Sequence, residues 1–155
     1  VSRKTEEVKC SGVALDVEGC HLGLLTFSRP DQLEPISWSA IKTLRSLVET
    51  FAKDDTVRVV AITGDGTSYS AGAYFKAYLT LQCDEREFRG FLEDFHALLN
   101  FVPFDVPKPV IALGKGVSAA EGTEVWLASD FAYAAQSAGI GDAHLNFAQM
   151  EGVAF

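Results

Sequence analysis

Two short apolar runs fix most of what this chain can become. Residues 57–63 (Val-Arg-Val-Val-Ala-Ile-Thr) and 109–113 (Pro-Val-Ile-Ala-Leu) are short and nearly continuous in apolar character, as buried parallel strands are, and each runs into a loop of small residues. Between them the acidic start at Asp84 leads into Phe88, Phe91, Leu92, Phe95, Leu98 and Leu99 at spacings of three and four, an amphipathic helix. A second helical stretch follows the second run. Strand, glycine loop, helix, connector, strand, small-residue turn and helix is the order of a right-handed βαβ arrangement. The predicted fold class is therefore α/β, with loops gathered at the C-terminal ends of the strands, where such folds place their ligands.

The flanking segments fit around that frame. Residues 12–17 and 21–27 are β-prone and joined by Glu18-Gly19-Cys20, which reads as a hairpin turn, with His21 expected to face solvent. Residues 28–32 form a turn or loop, with Pro30 and Pro35 blocking regular structure. Trp38, Ile41, Leu44, Leu47, Val48 and Phe51 predict an amphipathic helix of about four turns, N-capped by Ser37 and ended at residues 53–55. Residues 101–109 hold three prolines and read as a connector, residues 131–135 as a further strand, and His96 as a structural residue.

Composition bounds the function. A chain of 155 residues is of single-domain size, and 48% apolar residues with eleven Phe argue against disorder. The net charge of −8 argues against a nucleic-acid surface or an anionic membrane as partner. Cys10, Cys20 and Cys83 are odd in number and widely spaced, so neither a disulfide framework nor a zinc site is expected, and a reducing compartment suits them. With no apolar run of about 18 residues and no secretory apolar region at the start, the reading is a soluble, cytoplasmic protein. The first residue is Val and the last six are Met-Glu-Gly-Val-Ala-Phe, without a helix stop, so the expectation is one domain over residues 1–155, incomplete at its C-terminus.

The chemistry concentrates in two loops. In residues 116–130 (Gly-Val-Ser-Ala-Ala-Glu-Gly-Thr-Glu-Val-Trp-Leu-Ala-Ser-Asp), small residues let a ligand approach the backbone. A helix starting near Ala120 or Glu121 leaves its first N–H groups without partners, as an anion requires. Glu124 stands three residues after Glu121, on the same helical face. A carboxylate beside backbone donors can move a proton next to an oxygen that turns anionic. The same pattern is also an ordinary helix start, whose dipole favours acidic residues. In residues 64–72 (Gly-Asp-Gly-Thr-Ser-Tyr-Ser-Ala-Gly), Tyr69 stands where a dinucleotide-binding turn needs glycine, and the Gly-Lys-Ser/Thr of a phosphate-binding loop is missing. Ala71-Gly72-Ala73, opening toward Tyr74-Phe75-Lys76, offers a second set of N–H donors, although an ordinary surface turn would read alike.

Three segments in this order resemble the enoyl-CoA hydratase/isomerase family, the crotonases. Residues 25–33 (Leu-Thr-Phe-Ser-Arg-Pro-Asp-Gln-Leu) are similar to the family's opening strand and Arg-Pro turn. Residues 57–66 with 69–73 resemble its first oxyanion loop, and residues 107–144 its second, followed by a helix and the turn Gly-Asp-Ala-His. The resemblance implies a crotonase-like spiral of repeated ββα units whose C-terminal helical part is missing here, and homo-oligomers that are trimers or hexamers. It implies an acyl-CoA thioester as partner and no cofactor other than that coenzyme A. The N–H groups of Ala73 and Glu121 would form the oxyanion hole, Glu124 would be the main acid/base, and His144 would stand where the hydratases carry a second glutamate. Ser70, Gly72, Ala73, Tyr74, Phe75 and Lys76 would line the substrate site, and no metal is implied. Where hydratases have Gly-Gly-Gly this chain has Ala120-Glu121-Gly122, so the Glu121 side chain is expected to crowd the acyl pocket or oppose enolate charge. The leading expectation is hydration or dehydration of a 2-enoyl-CoA. Hydrolysis or isomerisation of another acyl-CoA, and a non-catalytic crotonase-like binding subunit, are the alternatives.

Overall fold

The computed structural model describes residues 9–147. Strand β1 (Lys9–Val17) and strand β2 (Cys20–Ser28) form the hairpin. Its two-residue turn, Glu18 and Gly19, has φ of 50° and 85°, the paired left-handed geometry that matches strand twist. Cys20 therefore opens β2 rather than belonging to the turn. Helix α1 (Trp38–Lys53) follows, capped by Ser37, whose side chain accepts the Ala40 N–H at 3.1 Å. Strand β3 (Val57–Gly64), helix α2 (Phe75–Leu81), helix α3 (Glu85–Asp105), strands β4 (Val110–Gly114) and β5 (Val117–Ala119), helix α4 (Glu121–Leu127) and strands β6 (Phe131–Ala134) and β7 (Gly139–Gly141) complete the order. The chain thus runs β-β-α in β1–β2–α1 and again in β4–β5–α4.

The main sheet has the order β1-β2-β3-β4-β6, antiparallel between β1 and β2 and parallel elsewhere, while β5 and β7 pair in a small parallel sheet. The alternating burial of α1 explains its seat: Ile41, Leu44, Val48 and Phe51 are buried. Phe51 lies over Gly23, where a Cβ would come within 2.6 Å of its ring. Helix α4 seats Trp126 on Gly114 of β4 in the same way, at 2.0 Å from a built Cβ.

One sequence expectation is corrected, and three short elements were not foreseen. Residues 101–105 are not connector but the last turn of α3, with Pro103 inside it. A proline there forfeits one helical hydrogen bond, and tertiary contacts offset it: Val102 is buried and the Arg45 guanidinium sits 4.6 Å from the Phe101 ring centre. Helix α2 carried no clear period because only Tyr78 of its seven residues is buried. Strands β5 and β7 are three residues each, and partners remote in sequence define them.

Candidate active site

The loop after β3 is held from two sides. Ile36 pairs with Ala73, donating its N–H to Gly72 at 2.7 Å and accepting that of Tyr74 at 2.7 Å. Because successive backbone groups of an extended segment point to opposite sides, the N–H of Ala73 is turned away from Ile36. From the other side the N–H groups of Tyr69 and Ser70 both reach the Val117 carbonyl, at 3.0 and 3.1 Å, and Ser70 returns its carbonyl to Ala119 at 2.9 Å. A third tie is Glu34, fully buried and with φ of 54°. One of its carboxyl oxygens accepts the N–H of Gly66 at 2.7 Å and the other that of Arg29.

Helix α4 meets this loop through a strained turn. Its N-cap, Ala120, has φ of 47° and ψ of −127°, a conformation that costs a non-glycine residue on the order of 1–3 kcal/mol. The turn carries Glu121 and Glu124 inward, to 5% and 3% exposure. Gly122 packs on Ser70, whose carbonyl would be 2.6 Å from a Cβ there.

The N–H of Ala73 donates to Glu121 Oε2 at 2.7 Å. This corrects the expectation of an open pair of backbone donors at Ala73 and Glu121: one of the two is occupied by the side chain of the other residue. The physical reason is the missing glycine. A side chain at position 121 on the first turn of α4 reaches the Ala73 N–H, and Gly72 leaves room for it, since a Cβ at Gly72 would stand 2.9 Å from the same oxygen. The backbone N–H of Glu121, first in α4, has no intrahelical acceptor by position.

The other oxygen, Glu121 Oε1, lies 3.8 Å from His144 Nε2. On the far side of the ring, Nδ1 is 2.6 Å from Asp142 Oδ1, which also accepts the His144 backbone N–H at 2.9 Å. The Glu121 carboxyl beside Nε2, then the hydrogen bond to Asp142, and the charge of Glu124 raise the His144 pKa to about 9 against the effect of burial. The imidazole is therefore protonated at neutral pH, an acid rather than a base. Tyr78 of α2 belongs to the same cluster. Burial and then the charges of Glu121 and Glu124 push its phenol up to about 12, which keeps it neutral.

Of the residues singled out in the sequence, Ala73, Glu121, Glu124 and His144 converge, and Gly72 lies against Glu121. Ser70 is buried and structural: its N–H and carbonyl are bonded to β5, and its hydroxyl accepts the Gly72 N–H at 3.2 Å. Tyr74 serves as the N-cap of α2, with the Arg29 guanidinium 5.0 Å from its ring centre. Phe75 and Lys76 are exposed on the first turn of α2, outside the buried cluster. Sequence reasoning missed Glu34, Tyr78 and Asp142. Asp142 had a signal, its place two residues before His144; Glu34 had none. No group of three or more metal-ligating side chains stands close enough to hold an ion among the described residues. No helix among them is long and apolar enough to cross a membrane.

A family model described as Enoyl-CoA hydratase/isomerase matches residues 19–155. The mitochondrial enoyl-CoA hydratase of Pongo abelii is 27% identical over 117 residues, 76% of this chain and 39% of that protein. Among solved structures, the enoyl-CoA hydratase of Bacillus anthracis superposes with a TM-score of 0.81 at 27% identity, over 91% of this chain and 54% of that one. That of Thermoplasma volcanium GSS1 gives 0.81 at 28%, again over 91% and 54%. The chain spans about half the length of the curated relatives it matches, 49%, 46% and 49% for the first three.

Proposed function

Because the chain belongs to the enoyl-CoA hydratase/isomerase family, we propose that it provides the acyl-CoA-binding and proton-transfer part of an enzyme that adds water to, or removes it from, a 2-enoyl-CoA. The observation that carries this reading is the buried convergence of Glu124, Glu121 and a protonated His144 beside the N–H of Ala73. In the forward direction Glu124 takes a proton from water as its oxygen bonds to C3 of the enoyl group. The π electrons move through C2 to the thioester oxygen, which becomes an enolate. Glu124 then returns that proton to C2 as the carbonyl re-forms, which restores its carboxylate, while the His144 imidazolium, its Nδ1 held by Asp142, offsets the negative charge beside it. Backbone donors facing the thioester oxygen stabilise the enolate. No cofactor beyond the coenzyme A of the substrate enters these steps. A cytoplasmic trimer or hexamer is the assembly we propose, with the exposed apolar residues of β6 as the surface that supports association.

The experiment is Glu124→Gln, assayed with a panel of 2-enoyl-CoA thioesters, with binding measured apart from rate. The amide keeps shape but cannot act as base, so turnover should fall by about 10²–10⁴-fold while affinity changes little. Unchanged turnover would remove Glu124 from the mechanism. A second reading, a binding subunit without turnover, is favoured by the Glu121 carboxyl on the Ala73 donor, and binding without any turnover in the parent protein would select it.

A further inference from the structure

We propose that Glu121 is a gate on the thioester-binding donor: its carboxyl occupies the Ala73 N–H and must withdraw toward His144 before a substrate oxygen can be polarised. The inference rests on the acyl-CoA reading and adds to it a residue that decides how the ground state is bound. Glu121 Oε2 sits 2.7 Å from the Ala73 nitrogen, the separation a bound oxyanion would take. The carboxyl is thus an internal stand-in for the ligand oxygen.

The surroundings leave it one route of withdrawal. At 5% exposure Glu121 cannot swing into water without displacing its neighbours, and Glu124 and Tyr78 belong to the same cluster. Its second oxygen already faces His144 Nε2 at 3.8 Å, so a movement of about 1 Å brings it into hydrogen-bond range. Asp142 holds the opposite ring nitrogen at 2.6 Å, so the imidazole is a fixed post. The carboxyl therefore exchanges one charge-assisted bond for another, and the donor at Ala73 is released.

The exchange distinguishes ground state from transition state. A carboxylate is a stronger acceptor than a neutral thioester oxygen, so the substrate gains little from Ala73 while Glu121 competes for it. A developing enolate oxygen is itself anionic and competes better. The cost of withdrawal falls in full on the enolate and on the substrate only up to the worth of its own hydrogen bond, so with Glu121 in place the ground-state thioester is bound as though the Ala73 donor were missing.

The test compares a saturated acyl-CoA thioester with the S-alkyl-CoA thioether of equal chain length, which lacks the carbonyl oxygen, by calorimetric titration of the parent protein, Glu121→Ala and Glu121→Gln. In the parent the two ligands should bind with nearly equal affinity. In Glu121→Ala the thioester should bind about three- to tenfold tighter than the thioether, the worth of one neutral hydrogen bond. Glu121→Gln, nearly isosteric, should fall between. Independently of any ligand, the Ala73 amide proton should resonate downfield in the parent and move upfield in Glu121→Ala. A thioester preference already present in the parent, no preference in a Glu121→Ala protein that binds the thioether normally, or an unmoved Ala73 resonance would each overturn the gate and leave the acyl-CoA reading standing. Failure of both ligands to bind any of the three proteins would overturn the acyl-CoA reading and the gate together.

Discussion

Glu34 ties the loop that carries Ala73 to the turn before α1, and its removal should be the costliest single change outside the apolar core. The residue is 0% exposed, and each carboxyl oxygen serves a different backbone N–H, Gly66 at 2.7 Å and Arg29. Glu34→Ala orphans both donors. A hydrogen bond to a charged acceptor is worth about 1.5–3 kcal/mol, so two give about 3–6 kcal/mol. Relief of the cost of burying a carboxyl group brings the expectation to the lower end, about 3 kcal/mol. Glu34→Gln has one acceptor oxygen in place of two, so one donor stays satisfied and the other meets an NH₂ group; about half the loss is expected. Urea unfolding of the three proteins gives the ordering directly. Amide exchange should locate it, with Gly66 and Arg29 accelerated and the β3–β4 ladder unchanged. A loss under about 1 kcal/mol in Glu34→Ala, or equal losses in the two variants, would refute the assignment of one oxygen to each donor.

The elevation of His144 makes a pH prediction whose sign follows from linkage. Its folded-state pKa of about 9 lies above the ordinary 6.5, so its contribution is fully present below about pH 6.5 and is lost as pH rises through about 9. Unfolding measured across that window should show the decline in the parent and a flatter profile in His144→Gln; parallel profiles would mean that the imidazole is not held protonated. Phe131 and Tyr133 on edge strand β6 are 58% and 65% exposed, and replacing both with Lys should reduce concentration-dependent association in sizing experiments. A parent that stays monomeric over the whole concentration range would contradict that expectation.

The sequence carried the frame because local patterns encode it. The apolar runs at 57–63 and 109–113 could be read as buried strands without knowing their neighbours, and both became central parallel strands. The spacing that placed Trp38 and Phe51 on one stripe likewise required only the helical period, and Ser37 capped the helix as its side chain allows. Glu124 and Glu121 could be paired in advance because three residues on a helix return to the same face.

Short elements and side-chain destinations were not legible. Strands β5 and β7 have three residues each and exist because they pair with each other, and Pro103 continues α3 only because Val102 and Phe101 are held by the rest of the fold. Nothing local to Glu34 announced that it would reach Gly66, 32 residues later, while also holding Arg29. The sequence by itself determined that a carboxyl stands at position 121 where the family pattern has glycine, and that His144 follows in a later turn. Only the tertiary structure decided that this carboxyl closes on Ala73, 48 residues earlier, while facing His144 with its other oxygen. Those contacts follow from the packing of three loops onto one another, and residue type and spacing constrain that only through the whole fold.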